Sequence, residues 1–192
     1  MKQSEVIQQL TNKDLKKSLV LSQVLFLLLA LVLSLFLFES FFDWFSYFHW
    51  KPKEILLYGV ASGMIVVFID IILIHVFPSR YYDDGGINKR IFSSLSFYEI
   101  VYVTLIIAIA EELLFRGVIQ TTFGYFIAST IFAIVHFRYL KKPILLVSII
   151  LVSFFIGYLF ELTENLVVTI TSHFFIDFLL GLFIRYNGWR EE

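Results

Sequence analysis

Long apolar stretches separated by short polar segments dominate the 192-residue chain. About 20 apolar residues are enough for a helix to cross the hydrocarbon core of a bilayer. The stretches that approach or reach this length are residues 18–38, 55–77, 98–119, 121–137, 143–160 and 165–185, of which the fourth and fifth are short. Because a chain in lipid must satisfy its backbone hydrogen bonds internally, the pattern predicts an all-α, polytopic transmembrane helical bundle of about six spans.

Composition supports a membrane protein whose main partner is the lipid bilayer. The chain is 59% hydrophobic and only 16% charged, whereas soluble domains are about a quarter charged. A net charge of −1 argues against a nucleic-acid partner. The absence of cysteine excludes disulfides and thiolate metal sites. No small-residue cleavage site follows residues 18–38, so we expect an uncleaved first helix.

Lysine and arginine are unevenly distributed between alternate loops. With the N-terminus inside, the outer loops contain only Lys51 and Lys53. The inner segments contain Lys2, Lys13, Lys16, Lys17, Arg80, Lys89, Arg90, Arg138, Lys141, Lys142, Arg185 and Arg190. This bias predicts that both termini are cytoplasmic.

Three charged residues interrupt the third predicted span, at Glu111, Glu112 and Arg116. Each charge at the centre of a bilayer costs about 2.5–3.5 kcal/mol on insertion scales, so three within six residues indicate a function. Glu112 and Arg116 are four residues apart, which predicts an ion pair on one helix face. Glu111 points about 100° away and has no local partner. It is therefore the candidate general base.

Two histidines in later spans complete the candidate chemistry. His136 follows Phe132 by one helical turn in the fourth span, and His173 precedes Asp177 by one turn in the sixth. One use of this set is activation of a water by a glutamate and a histidine, while the other pair stabilises an oxyanion. The other use is a metal site, for example for zinc, with Glu111, His136, His173 and Asp177 as candidate ligands.

These motifs, in this order on successive spans, resemble those of the CAAX protease and bacteriocin-processing family of intramembrane proteases, also called CPBP or Abi. The resemblance rests on the motifs Glu111-Glu112-x-x-x-Arg116, Phe132-x-x-x-His136 and His173-x-x-x-Asp177. The resemblance covers residues 98–185. The family that the chain resembles includes the type II CAAX prenyl endopeptidases. It divides the chain into an N-terminal part, 1–97, and a protease core, 98–192.

The resemblance implies an intramembrane endopeptidase that cuts a short peptide or a membrane-associated protein. Glu111 and His136 would activate the water, and His173 and Asp177 would stabilise the oxyanion. Support would come from Glu112, Arg116 and Phe132. A glutamate-type mechanism with no required cofactor is favoured, and a zinc metalloprotease is the alternative.

Asp177 departs from the family pattern, because the prenyl-protein proteases usually carry Asn there. An ionised Asp cannot donate a hydrogen bond, which argues against prenylated substrates. Bacterial relatives with Asp are linked to bacteriocin self-immunity or to unassigned peptides, so we expect a protein of a bacterial cell membrane. The alternative function is a non-catalytic membrane immunity or scaffold protein that retains the protease fold.

The predicted spans place Glu111 beyond mid-membrane toward the outside, but His136 near the inner end of the fourth span. The two side chains must meet for catalysis. We therefore expect the fourth span to be shifted, broken or re-entrant, as backbone that lines a protein cavity can be.

Overall fold

The computed structural model describes residues 10–187, and these residues form helices joined by short turns, without a strand. Lys2 and Arg190, which contribute to the predicted orientation, lie outside the described residues. The helices are α1 (Asn12–Leu37), α2 (Pro52–Val76), α3 (Ile87–Ser94), α4 (97–123), α5 (Tyr125–Val135), α6 (Pro143–Thr163) and α7 (Leu166–Asn187). The all-α prediction is confirmed.

Four helices, α1, α2, α6 and α7, are long and apolar enough to cross a membrane. They correspond to the first, second, fifth and sixth predicted spans, and the fifth is longer than predicted, at 21 residues. The third and fourth predicted spans differ from them. Helix α4 contains four charged residues, and α5 has only 11 residues. The count of six spans therefore remains a prediction.

Large apolar side chains cover the outside of the bundle, as a bilayer requires of an integral membrane protein. On α1, for example, the side chains of Leu21, Leu25, Leu35 and Phe36 are all more than half exposed. The buried positions of α1 are Leu15, Gln23, Ala30 and Ser34. Their spacing of seven or eight and then four residues forms one helical stripe, which faces α4.

Helix α4 changes its geometry at the charged motif. Ser96 and Glu99 form a capping box at its start, and a regular α-helix continues to Glu112. Residues Leu113–Gln120 are π-helical, and residues Thr121–Phe123 complete the helix. Single-turn π segments within α-helices occur frequently at functional sites, because the extra residue rotates the side chains that follow. Here the change begins directly after Glu112.

The short α5 brings His136 to the depth of Glu111. Helix α4 continues for 12 residues beyond Glu111, of which Leu113–Gln120 are π-helical. The chain then turns at Gly124, whose φ of 90° is in the region that favours glycine. Helix α5 returns for 11 residues, about 16 Å. This length is about half of a 30 Å hydrocarbon layer, so the fourth predicted span is a half-length helix.

Helix α7 lies at the centre of the bundle and packs on α2, α3, α4 and α6. Small residues allow the close approach of α2 to α7. A Cβ added at Gly63 would lie 2.8 Å from the Ser172 carbonyl oxygen, and the hydroxyls of Ser62 and Ser172 are 3.0 Å apart. The small-residue segment of α2 therefore serves contact within the molecule, which fixes the position of His173 on the neighbouring turn of α7.

Candidate active site

A cavity of about 560 Å³ lies between the seven helices and is also lined by the turn after α5. Apolar side chains form most of its wall, including Leu19, Phe26, Ile91 and Ile176. The cavity is bordered near one end of the bundle by α3 and by Arg138 and Tyr139. Its polar lining includes Gln23, Asp70, Glu111, His136, His173 and Asp177.

Glu111 is buried, at 4% exposure, and its two oxygens have different surroundings. The Nε2 amide of Gln23 on α1 donates to Glu111 Oε1 at 3.2 Å. Glu111 Oε2 has no hydrogen-bond partner within the described part of the chain. It lies 3.8 Å from His136 Nε2 and 3.9 Å from His173 Nε2. One carboxylate oxygen and two imidazole nitrogens therefore converge on one point at the cavity wall.

His136 follows the last residue of α5, and its ring is held by Phe132. The ring Nδ1 lies 2.8 Å from the Phe132 carbonyl oxygen, which can only accept, so Nδ1 carries the proton. Nε2 of the neutral ring is therefore an acceptor on the side of Glu111. The Phe132 ring is buried, 4.8 Å from the His136 ring and 5.9 Å from the His173 ring. It spaces the two histidines apart.

Glu112 lies on the closed face of α4, the face that does not line the cavity, and its partners are all protein groups. Its Oε2 is 3.5 Å from Arg116 Nε, and both side chains have 0% exposure. Arg116 also donates from Nη2 to the Ser153 carbonyl of α6 at 3.0 Å, and its guanidinium lies over the Phe132 ring. The ion pair predicted from the spacing of four residues is present. In this pair each charge neutralises the other away from water.

The second oxygen of Glu112 makes a contact that the sequence did not indicate. His173 Nδ1 donates to Glu112 Oε1 at 2.8 Å. The sequence analysis paired His173 with Asp177 alone. Asp177 Oδ2 is 3.6 Å from the opposite nitrogen, Nε2, which is too long for a hydrogen bond. In the structure, Glu112 therefore makes the contact that orients the imidazole of His173. Asp177 lies beside the other nitrogen, which faces Glu111.

Comparisons with known proteins agree with these motifs. Residues 93–179 match the family described as Type II CAAX prenyl endopeptidase Rce1-like. The chain is also 43% identical to "Uncharacterized protein YpbD" of Bacillus subtilis over 172 residues, which are 90% of this chain and 91% of that protein. The chain belongs to the Rce1-like family. No solved structure matches it. The matched region of this family member contains every motif residue from Glu111 to Asp177, but not α1 or α2.

The donor set of this Rce1-like protein does not fit a metal ion as arranged. Within residues 10–187, no group of three or more His, Asp or Glu side chains is placed to hold one. No metal-dependent step is therefore derived from this geometry.

Gln23 is the residue at the site that the sequence analysis missed. It is the polar member of the buried stripe on α1 and has 4% exposure. A lone Gln in an apolar span is a signal in itself, since a buried amide without partners is costly in a membrane. The motifs of the Rce1-like family begin far beyond it in sequence, so no motif pointed to it.

Proposed function

We propose that this protein is an intramembrane endopeptidase in which Glu111 is the general base. The observation that carries the proposal is the buried Glu111 Oε2, without a hydrogen-bond partner, between two imidazole nitrogens at the wall of a cavity. A carboxylate and a histidine in this arrangement can hold and deprotonate a water molecule. The apolar cavity supplies a low-dielectric setting in which charge on the reacting atoms interacts strongly with the protein.

In the proposed reaction, a water donates one hydrogen bond to Glu111 Oε2 and lies beside His136 Nε2. The proton moves to the carboxylate as the water oxygen bonds to the scissile carbonyl carbon and the carbonyl π electrons move to oxygen. His173, as the imidazolium between the carboxylates of Glu112 and Asp177, donates to this oxyanion from Nε2. The carbonyl re-forms, the C–N bond breaks, and the proton passes from Glu111 to the leaving amine.

The substrate is proposed to be a short peptide or a segment of a membrane-associated protein that enters the cavity in extended form. Asp177 lies where prenyl-protein proteases usually carry Asn, and its side chain, 29% exposed, is at the cavity. We therefore propose a peptide without a prenyl group.

With both termini cytoplasmic, the cavity would border the cytoplasmic face, because α3 and Arg138 would lie there. Reporter fusions that place either terminus outside would contradict this orientation.

A comparison of peptide termini in whole membranes tests the proposal. Cells that produce equal amounts of the wild-type protein or the Glu111→Gln variant are analysed by mass spectrometry for termini that depend on the wild type. We expect a set of peptides cut only by the wild-type protein. Identical profiles would refute the protease function and leave the non-catalytic immunity or scaffold role.

The peptides found in this way give a direct assay with purified protein. Each is synthesised without modification and, where it contains cysteine, also with a farnesyl group. We expect the unmodified peptide to be cleaved at least as well as the farnesylated one. A strict requirement for the farnesyl group would overturn the proposed substrate class and leave the peptidase activity standing.

A further inference from the structure

Gln23 contacts the proposed base from a helix that lies outside the region matched by the family. Its Nε2 donates to Glu111 Oε1 at 3.2 Å and also lies 3.4 Å from the hydroxyl of Ser22. Gln23 is buried and lines the cavity. The contact bridges 88 positions of sequence, so it exists only because α1 packs on α4.

This hydrogen bond makes the two oxygens of Glu111 unequal. A carboxylate can rotate about its terminal torsion, which has a broad energy profile. The bond from Gln23 occupies Oε1 and fixes that rotation. Oε2 is then left on the side of His136 and His173. A hydrogen bond to a charged acceptor is stronger than a neutral one, so the orientation is well defined.

The other end of the Gln23 amide is also informative. Gln23 Oε1 is buried and has no hydrogen-bond partner in the described part of the chain, which is equally true of Glu111 Oε2, Glu112 Oε2 and Gln120 Oε1. Buried acceptors are rarely left unsatisfied. Gln23 and Glu111 line the cavity, whereas Glu112 and Gln120 do not, so a water in the cavity can reach these two acceptors.

We propose that Gln23 is a positioning residue for the hydrolytic reaction: its amide N–H binds Glu111 Oε1 and so holds Oε2 toward His136 and His173. The inference rests on the proposed peptidase function. Gln23 neither gains nor loses a proton in the reaction. Its role is to reduce the orientations of base and water to the reactive one.

The test compares Gln23→Met with a matched control, Gln120→Met, on a peptide that the wild type cleaves and Glu111→Gln does not. Gln120 is, like Gln23, a buried glutamine, but it lies on α4. Its Nε2 donates to the Gly157 carbonyl and to Glu161 at 2.8 Å each. It does not line the cavity. Methionine approximates the volume of glutamine and removes the amide in both variants.

We expect Gln23→Met to lower kcat by roughly tenfold to a hundredfold, the effect of losing one hydrogen bond to a charged group, with KM changed less than about twofold because binding of the peptide is retained. Gln120→Met should lose thermal stability but keep its kcat. Gln23→Asn, which retains the amide on a shorter stem, should recover part of the lost kcat. If Gln23 had only a structural role, kcat in Gln23→Asn would recover only together with thermal stability.

Wild-type kcat in Gln23→Met, or an equal loss of kcat in Gln120→Met, would overturn the role of Gln23. A raised KM with unchanged kcat would also overturn it, because it would mean that Gln23 binds substrate. These results leave the peptidase function intact as long as Glu111→Gln is inactive. If no peptide depends on Glu111, both the function and the role of Gln23 are refuted.

Discussion

The adjacent residues Glu111 and Glu112 lie on different faces of α4 and have different surroundings. On the closed face, Glu112 is surrounded by Arg116, His173 and the neighbouring helices, and its charge is paired within the protein. On the cavity face, one oxygen of Glu111 accepts from Gln23, and the other faces two histidines and has no arginine or lysine beside it among the described residues. Neighbours on a helix differ by about 100°, which is enough to put one carboxylate in a structural network and the other at the reactive surface. A carboxylate beside a buried arginine stabilises the fold, and one that faces the cavity without such a partner remains available for chemistry.

The largest expected effect tests this comparison directly. Glu112→Gln should lower the free energy of unfolding by about 3–5 kcal/mol, because it leaves the buried guanidinium of Arg116 without its carboxylate. Glu111→Gln should abolish cleavage but change stability far less, since Arg116 and His173 both keep their contacts with Glu112. Unfolding in detergent, followed by tryptophan fluorescence or thermal aggregation, measures both. Equal destabilisation by the two variants would show that the faces do not differ.

Asp177 lies on the cavity side and provides the next test. Asp177→Asn should lower kcat by roughly tenfold, as expected for a partner that acts through a neighbouring group, because His173 Nε2 loses its anionic neighbour at 3.6 Å. Asp177→Ala should be slower still, since it also loses the polar side chain. The assay is turnover of the identified peptide at one pH. A fully active Asn variant would bring this protein closer to the Asn-bearing prenyl proteases.

A smaller effect is expected at the cavity rim, where a buried carboxylate is incompletely paired. Burial raises the pKa of Asp84 above its ordinary value of 3.8, although Arg138 lies 3.9 Å away. The folded protein therefore binds a proton that the unfolded chain has already released, so this group costs stability as the pH rises above 3.8. Asp84→Asn should flatten the fall of Tm between pH 4 and pH 7, while it still accepts from the Ile87 amide. An unchanged pH slope would contradict this assignment.

The smallest expected effect concerns metal. No three acids or histidines of residues 10–187 are placed to hold an ion, so we expect purified protein to cleave its peptide without stoichiometric zinc. Turnover is measured before and after treatment with a chelator, together with the metal content of the protein. Activity that is lost to the chelator and restored by one zinc per chain would show that the cavity face of α4 is part of a metal site.

The sequence by itself determined the contacts that lie within one helix. The pairs Glu112–Arg116 and His173–Asp177 follow from a spacing of four residues, because 3.6 residues complete a turn. The apolar stretches likewise predicted helices, and the order of the three motifs pointed to the family. These features depend on neighbours in the chain, so they are visible without any knowledge of packing.

Tertiary structure decided what crosses between helices. An apolar run of residues 121–137 does not reveal that the chain turns at Gly124 and that α5 has only 11 residues, yet this brings His136 to Glu111. The contacts of His173 with Glu112 and of Gln23 with Glu111 depend on how α7 and α1 pack against α4. Periodicity gives the face on which a side chain lies, but the depth and rotation of each helix are set by the packing of its neighbours.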